Sequence, residues 1–320
     1  MPNSSSPATF VSKLLIQNYR SIAACELSLG PLTFLVGPNG AGKSNLLDAL
    51  RLIADSLNQS LDHALRDRGG INEVRRRSSA HPTHFAIQVE LTLPTGGTGL
   101  FAFKIGARPG GAFVVQREEC RIGSAHYRVE AGDIKIAPGV ASPPATDDRL
   151  YLVNAAGLPE FRPVFDGLSQ MGFYNLNPDT VRALQTPDKG ELLRRDGSNL
   201  ASVLGRLGRA LPEVKQRIEE YLAKVVPGVT GVEANSVGHM ETIMFRQQIK
   251  GADKPWRFPA INMSDGTLRA LGILVALFQK PERGTFPLIG IEEPEVPCIR
   301  RLQAFFAIAS GRPVAARRSS

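Results

Sequence analysis

Cysteine is scarce: Cys25, Cys120 and Cys298 lie far apart with no CxxC pair. This argues against a disulfide framework and a zinc site, and the expectation is reduced thiols, buried or incidental. The chain also lacks any apolar run of about 18 residues. Its opening, MPNSSSPATF, has neither a basic start nor an apolar stretch. No anchor and no leader peptide is therefore expected, and the expected location is cytoplasmic. His81 and His84, in HPTH, lack further ligands at metal spacing and read as loop residues. The single tryptophan, Trp256 in KPWRFPA, reads as a packing residue rather than a base-stacking platform. Acid is missing from the end of the chain: after Pro297 come Arg300, Arg301, Arg312, Arg317 and Arg318, with no Asp or Glu. Those five arginines supply most of the net charge of +8 and leave +3 for the rest, so the bulk basicity is weak evidence for nucleic-acid binding. The short basic runs EVRRRSS and LLRRDGS read as solvated faces.

What is present fits one globular unit with lobes: 320 residues, 42% of them hydrophobic. KLLIQNYRSI has the apolar, β-branched content of a strand, and LTFLVG reads as a short buried strand ending on glycine. A helix is expected from about Lys43, with Leu46, Leu47, Leu50, Ile53 and Leu57 spaced for one buried face. The stretch NQSLDHALRDRGGINEVRRRSSAHPTH is polar, carries Gly69 and Gly70, and reads as a mobile excursion. Alternation in HFAIQVELTL, GLFAFKIG, GAFVVQRE and AHYRVEAG predicts an antiparallel meander. The Pro- and Ala-rich APGVASPPATDD reads as a linker or a loop between lobes. Helical patterns follow, with Asn177 as an N-cap before Pro178 and a stop at Pro227-Gly228. ETIMFRQQIK reads as a strand, a helix is expected to start near Ser264, and FPLIGI reads as a final strand.

Three constellations carry chemistry. Residues 37–44, GPNGAGKS, fit GxxxxGKS between a predicted strand and a predicted helix. Glycines at that spacing let backbone N–H groups fold into a nest around phosphates at the positive end of a helix. Asn39, Gly40, Ala41, Gly42, Lys43, Ser44 and Asn45 are the expected nucleotide contacts, with Lys43 on the β and γ phosphates and Ser44 on Mg²⁺. The spacing is not GxGxxG, which sets aside a dinucleotide fingerprint. In NMSDGTLRALGILVAL, Ser264 caps a helix and Gly266 permits close backbone approach, giving a second phosphate-binding helix start. In FPLIGIEEPE, an apolar strand ends on two carboxylates; Glu292 is expected in the Mg²⁺ shell and Glu293 as the base that takes a proton from attacking water.

Together LLIQNYRSI, FLVGPNGAGKSNLLDAL, GFYNLNPDTVRALQ with LLRRDGSNLASVL, MSDGTLRALGILVAL and IGIEEPE resemble the ABC-type P-loop ATPases of the RecF and SMC kind. The resemblance spans nearly all of the chain up to Glu295. It implies an α/β fold of the ABC-ATPase head type, with a mixed β-sheet core, an antiparallel meander and a helical lobe. The implied organisation is a disordered N-terminus 1–10, a first ATPase lobe 11–140, a helical insert 141–228, a second ATPase lobe 229–296 and an atypical basic tail 297–320. It further implies Mg²⁺-dependent ATP hydrolysis and an ATP-dependent homodimer in which Ser264 and Gly266 act in trans. It places Arg20, in NYRS, near the nucleotide, although a surface arginine at a strand end reads almost equally well. DNA or a partner protein such as a nuclease is the implied target, without membrane involvement. A nucleotide-gated binding module or a defence-system regulatory subunit with little hydrolysis stays open.

Beyond Glu295 the resemblance stops. Members of the family continue with an LHP-type segment, a helix and a strand ending in a switch histidine, whereas VPCIRRLQAFF follows here and no histidine occurs after His239. One GC-rich codon choice for VPCIRRLQ, read in another frame, gives Leu-His-Pro-Ala-Ala-Ala. The expectation is therefore truncation by a single-base frameshift near Val296, the alternative being a genuine basic appendage that contacts nucleic acid. Resequencing that returns codons incompatible with the shifted frame overturns the first.

Overall fold

In a computed structural model, residues 10–79, 82–93, 97–137, 142–279 and 287–294 are described. The expected frameshift point near Val296, the basic tail, Cys298 and His81 lie outside them. The chain divides into two compact units, Met1–Gly172 with Phe286–Leu288, and Phe173–Thr285 with Ile289–Ser320.

The first unit is built on a seven-stranded antiparallel sheet. Strands β1 (Val11–Tyr19) and β2 (Ile22–Ser28) form a hairpin. Helices α1 (Lys43–Asn58), α2 (Leu61–Arg66) and α3 (Ile71–Val74) follow. The meander is β3 (His84–Thr92), β4 (Thr98–Ala107), β5 (Phe113–Ile122), β6 (Ala125–Glu130) and β7 (Asp133–Ile136). Strand order is β2-β1-β3-β4-β5-β6-β7, with Leu14 opposite Val89 and Ile16 opposite Ile87. The period-2 alternation of these strands sends Leu14, Ile16, Phe85, Ile87, Val89, Phe101 and Phe103 to one buried face. Each such side chain contributes about 1.5–3 kcal/mol of burial. Tyr19 and Phe85 meet edge to face at 5.6 Å. Helices α4 (Leu152–Ala155) and α5 (Arg162–Ser169) complete the unit. The described part of APGVASPPATDD is tied into it: Val115 N–H donates to Asp147 O (2.7 Å) and the Tyr151 hydroxyl to Pro143 O (2.9 Å).

Three expectations fail in this unit. LTFLVG forms no strand; Leu32 and Phe34 are exposed and Val36 is 93% exposed. A strand is stable only when a neighbour takes its N–H and C=O groups, and no backbone partner for Leu32–Val36 occurs among the described residues. The polar stretch after α1, expected to be a mobile excursion, is instead folded onto the core. Leu61, Ala64, Leu65, Ile71 and Val74 are buried there, and Ser60 caps α2 by accepting from His63 N–H (3.1 Å). The Gly69-Gly70 pair, at φ 87° and 89°, is the left-handed turn joining α2 to α3. His84 lies in β3 rather than in a loop.

A buried carboxylate ties α4 to the meander. Glu118 Oε1 accepts from the Tyr127 hydroxyl (2.7 Å) and Leu152 N–H (2.7 Å), and Oε2 accepts from Tyr151 N–H (2.5 Å). Burial pushes its pKa up from 4.5 to about 7, with the three donors opposing. A carboxyl raised in the folded state favours its protonated form there, so its contribution is fully present below pH 4.5 and is lost as pH rises through about 7. The expected result is that the wild-type chain loses about 3 kcal/mol of stability relative to Glu118→Gln between pH 4.5 and pH 8, measured by urea unfolding at both. A pH-independent difference between the two proteins would contradict it.

The second unit begins with β8 (Gly172–Tyr174), then α6 (Pro178–Arg182), α7 (Leu200–Ala210) and α8 (Pro212–Val225). Strands β9 (Val229–Val237), β10 (Met240–Gln247) and β11 (Trp256–Pro259) form an antiparallel sheet ordered β11-β10-β9. Helix α9 (Asp265–Phe278) and β12 (Ile289–Ile291) close the unit. Leu200, Val203, Leu204, Ile218, Leu222, Phe245, Leu268 and Leu271 share its core. Asn177 caps α6 as its spacing predicts, accepting from Asp179 N–H (3.0 Å). Trp256 departs from expectation: it stands 59% exposed on β11 and is not a packing residue of this unit.

Candidate functional site

The first unit carries GPNGAGKS. Helix α1 begins at Lys43 because Gly42 takes the N-cap position at φ 90°, a left-handed conformation that a side chain would strain. The apolar stripe Leu46, Leu50, Ile53 and Leu57 buries the helix from its first turn onward, leaving Asn39, Gly40, Ala41 and Ser44 at the surface. Sixteen aligned peptide units thus end on N–H groups at Lys43 and Ser44 that have no backbone partner among the described residues. Lys43 Nζ folds back and donates to Gly37 O (2.8 Å) and Pro38 O (2.9 Å), so its ammonium already lies over the loop. Asn45 Nδ2 donates to Ser21 Oγ (2.7 Å), tying the helix start to the β1–β2 turn.

Arg20 occupies that turn at φ 47°. Its Nε lies 3.1 Å from Asp48 Oδ2, one turn below Ser44 on α1. Asp48 is the centre of a network that sequence reasoning missed. Its carboxylate also accepts from the Tyr19 hydroxyl (2.7 Å) and Arg68 Nε (3.0 Å) and pairs with Arg51 (2.9 Å). Arg68 is buried and reaches Asp55 (2.7 Å) and Ala64 O (2.8 Å). Burial pushes the Tyr19 phenol far up, which keeps it a donor to Asp48. The helix that carries Lys43 and Ser44 is therefore held by charged bonds as well as by its apolar stripe. The available signal was Asp48 lying in phase with the buried Leu52 at one turn's spacing.

The second unit carries the other predicted residues. Ser264 caps α9, its Oγ accepting from Thr267 N–H (3.3 Å), and the neighbouring Asp265 pairs with Arg182. Ser264 is exposed, and a Cβ added at Gly266 would meet nothing within 4 Å among the described residues. Glu292 follows β12, which pairs with β8: Glu292 N–H donates to Tyr174 O (2.8 Å). Its carboxylate accepts from Arg195 Nη2 (2.7 Å) and from Asn175 Nδ2 (3.5 Å). Glu293 is exposed at φ 45°, and its carbonyl accepts from Arg269 Nη1 (2.9 Å). Asn175 and Arg195 come from GFYNLNP and LLRRDGS, so the basic run read as a solvated face supplies a partner to a predicted site carboxylate. Among the described residues no group of three or more His, Cys, Asp or Glu could hold a metal. The candidates for Mg²⁺, the Ser44 hydroxyl and the Glu292 carboxylate, are hard oxygens. They fit a cation that is held by one or two protein oxygens together with substrate phosphates. No helix among the described residues is long and apolar enough to cross a membrane.

Residues 10–96 match the family model described as AAA ATPase domain. Over 44 residues the chain is 48% identical to the DNA replication and repair protein RecF of Vibrio vulnificus, covering 13% of this chain and 12% of RecF. Over 75 residues it is 36% identical to the OLD nuclease of Thermus scotoductus, covering 23% of this chain and 14% of the nuclease. The chain thus matches about an eighth of the length of these curated relatives. Among solved structures, the recombination mediator protein RecF with ATP aligns at 13% identity and a TM-score of 0.36, covering 90% of this chain and 86% of that one. An SMC ATPase structure aligns at 15% identity and a TM-score of 0.27, covering 37% and 71%.

Proposed function

We propose that this chain, whose residues 10–96 match an AAA ATPase domain, is a RecF- and SMC-like ATPase that binds ATP with Mg²⁺ and hydrolyses it. The observation that carries the reading is the start of α1. There a left-handed Gly42 opens a 16-residue helix at Lys43, and the Lys43 ammonium lies over the loop carbonyls. Asn39 to Asn45 cradle the phosphates, with Lys43 on the transferred group, and Arg20 borders the loop through Asp48. Ser44 of the first unit and Glu292 of the second would each offer a hard oxygen to Mg²⁺, which would supply charge stabilisation to the phosphoryl oxygens. Glu293 orients the attacking water and accepts its proton. The exposed Ser264 and the open approach to Gly266 support a second copy's nucleotide closing on α9, giving an ATP-dependent homodimer. The names of the relatives, a DNA replication and repair protein and a nuclease, support DNA or a partner nuclease as the target.

A second reading, nucleotide binding with little turnover, is favoured by the segment Leu32–Val36 that leads into the loop, whose backbone has no partner among the described residues. A phosphate loop with no paired strand leading into it among the described residues is less preorganised for chemistry than for binding. Glu293→Gln separates the two. General-base catalysis predicts a roughly 100-fold or greater fall in steady-state ATP turnover with nucleotide affinity retained. Turnover that Glu293→Gln leaves unchanged would remove Glu293 from the chemistry and favour the second reading.

A further inference from the structure

The Glu292 carboxylate is only 16% exposed, so it needs a cationic or donor partner whenever no metal is present. Arg195 provides it at 2.7 Å, and Arg195 is itself 44% exposed. The side chain therefore comes in from the solvent side and can leave. Its backbone, by contrast, is fixed. Asn175 N–H donates to Arg195 O (2.9 Å) and Asn177 N–H to Asp196 O (3.1 Å). The buried Asn199 accepts from Arg194 N–H (2.8 Å) and donates to Leu192 O and Asp188, both at 2.9 Å. Asp196 accepts from Ser198 N–H (3.0 Å) in an Asx turn. The polar stretch RDGSN thus makes a hydrogen-bonded frame that presents one half-exposed guanidinium to one carboxylate. Beside it opens a cavity of about 530 Å³, lined by Asn175, Asn177, Arg195, Asp196 and Arg269, with room for the guanidinium to swing aside.

We infer that Arg195 is a positioning residue that acts as a stand-in cation: it neutralises Glu292 in the metal-free state, and a divalent ion must displace it to reach the carboxylate. The inference rests on the reading of Glu292 as a metal-shell residue. The physical basis is competition between two positive charges for one carboxylate. A guanidinium bonded to Glu292 repels an incoming divalent ion at a few ångströms and occupies a lone pair the ion needs. While it is in place Arg195 also holds the carboxylate in a fixed orientation.

The test is Mn²⁺ titration of the full chain carrying one equivalent of a non-hydrolysable ATP analogue, read by the electron paramagnetic resonance signal of free Mn²⁺, for wild type, Arg195→Ala, Arg195→Lys and Glu292→Gln. Thermal melting with and without Mg²⁺ runs alongside. Arg195→Ala is expected to bind Mn²⁺ about tenfold more tightly at the site that Glu292→Gln removes, with Arg195→Lys near wild type. Arg195→Ala is also expected to melt lower than wild type without Mg²⁺ and to recover more of that loss when Mg²⁺ is added. An equal melting deficit with and without Mg²⁺, together with unchanged Mn²⁺ affinity, would show a structural ion pair only and overturn the inference. Loss of Mn²⁺ binding in Glu292→Gln without any effect of Arg195→Ala overturns the competition but leaves the metal reading standing. Mn²⁺ binding that Glu292→Gln leaves untouched overturns the metal reading itself, and the inference with it.

Discussion

Lys43→Ala is expected to weaken ATP binding by roughly 10²- to 10⁴-fold and to remove turnover, with little change in stability. In the ligand-free chain the ammonium donates to Gly37 O at 2.8 Å and Pro38 O at 2.9 Å, both exposed interactions. They hold the charge above the loop, where phosphate oxygens are better acceptors than neutral carbonyls. Bonds between charged partners contribute about 1.5–3 kcal/mol each, so losing two gives the stated range. Little folding energy is at stake, because exposed bonds of this kind exchange readily with water. Lys43→Arg is not expected to rescue the loss, since a planar fork cannot replace a compact ammonium inside a narrow nest. Fluorescent ATP-analogue anisotropy and urea unfolding, run on the same preparations, check both halves. Affinity unchanged within a factor of three would mean that GPNGAGKS does not bind phosphate here.

Local patterns were the readable part of this chain. The α1 stripe of Leu46, Leu50, Ile53 and Leu57, the alternation of β3 to β6, and the caps Asn177 and Ser264 each depend on residues within a few positions of one another. LTFLVG failed because its pattern specifies a strand but cannot supply a neighbour, and pairing is a non-local property. The Gly69-Gly70 pair was misread because glycine marks both mobile loops and left-handed turns, and only the burial of Leu65 and Ile71 on either side decides between them. Glu118 was legible in principle, since it stands in phase with the buried Cys120 on β5, but a carboxylate on an inward phase is easily taken for a strand edge. Of the candidate site, the phosphate loop and the two carboxylates were named from sequence alone. Their partners were not: Arg195 lies 97 residues from Glu292, and no local pattern links the two. Arg68 and Asp48 are 20 residues apart, joined only by the turn that brings α2 back along α1.

That last pair carries the largest expected effect on stability. Arg68→Ala should lower the unfolding free energy of the first unit by about 3–5 kcal/mol, because it leaves two carboxylates short of a buried partner. Arg68 donates to Asp48 at 3.0 Å, to Asp55 at 2.7 Å and to Ala64 O at 2.8 Å, so removal also orphans a helix carbonyl. Arg20 and Arg51 stay beside Asp48, at 3.1 and 2.9 Å, which keeps the cost from rising further. Arg66→Ala, which breaks an exposed pair with Asp62 on the same short helix, should cost about 0.5 kcal/mol or less and serves as the control. Urea unfolding of the three proteins reads the difference directly. Nucleotide affinity then separates this network from the phosphate loop. Arg68→Ala should weaken ATP binding only where the helix loosens, so added Mg²⁺-ATP should restore part of its lost stability by mass action. Lys43→Ala should show the reverse pattern, near-wild-type stability with no stabilisation by Mg²⁺-ATP. If Arg68→Ala is as stable as Arg66→Ala, the charged bonds to α1 contribute nothing net, and the apolar stripe alone must fix the helix that presents Lys43.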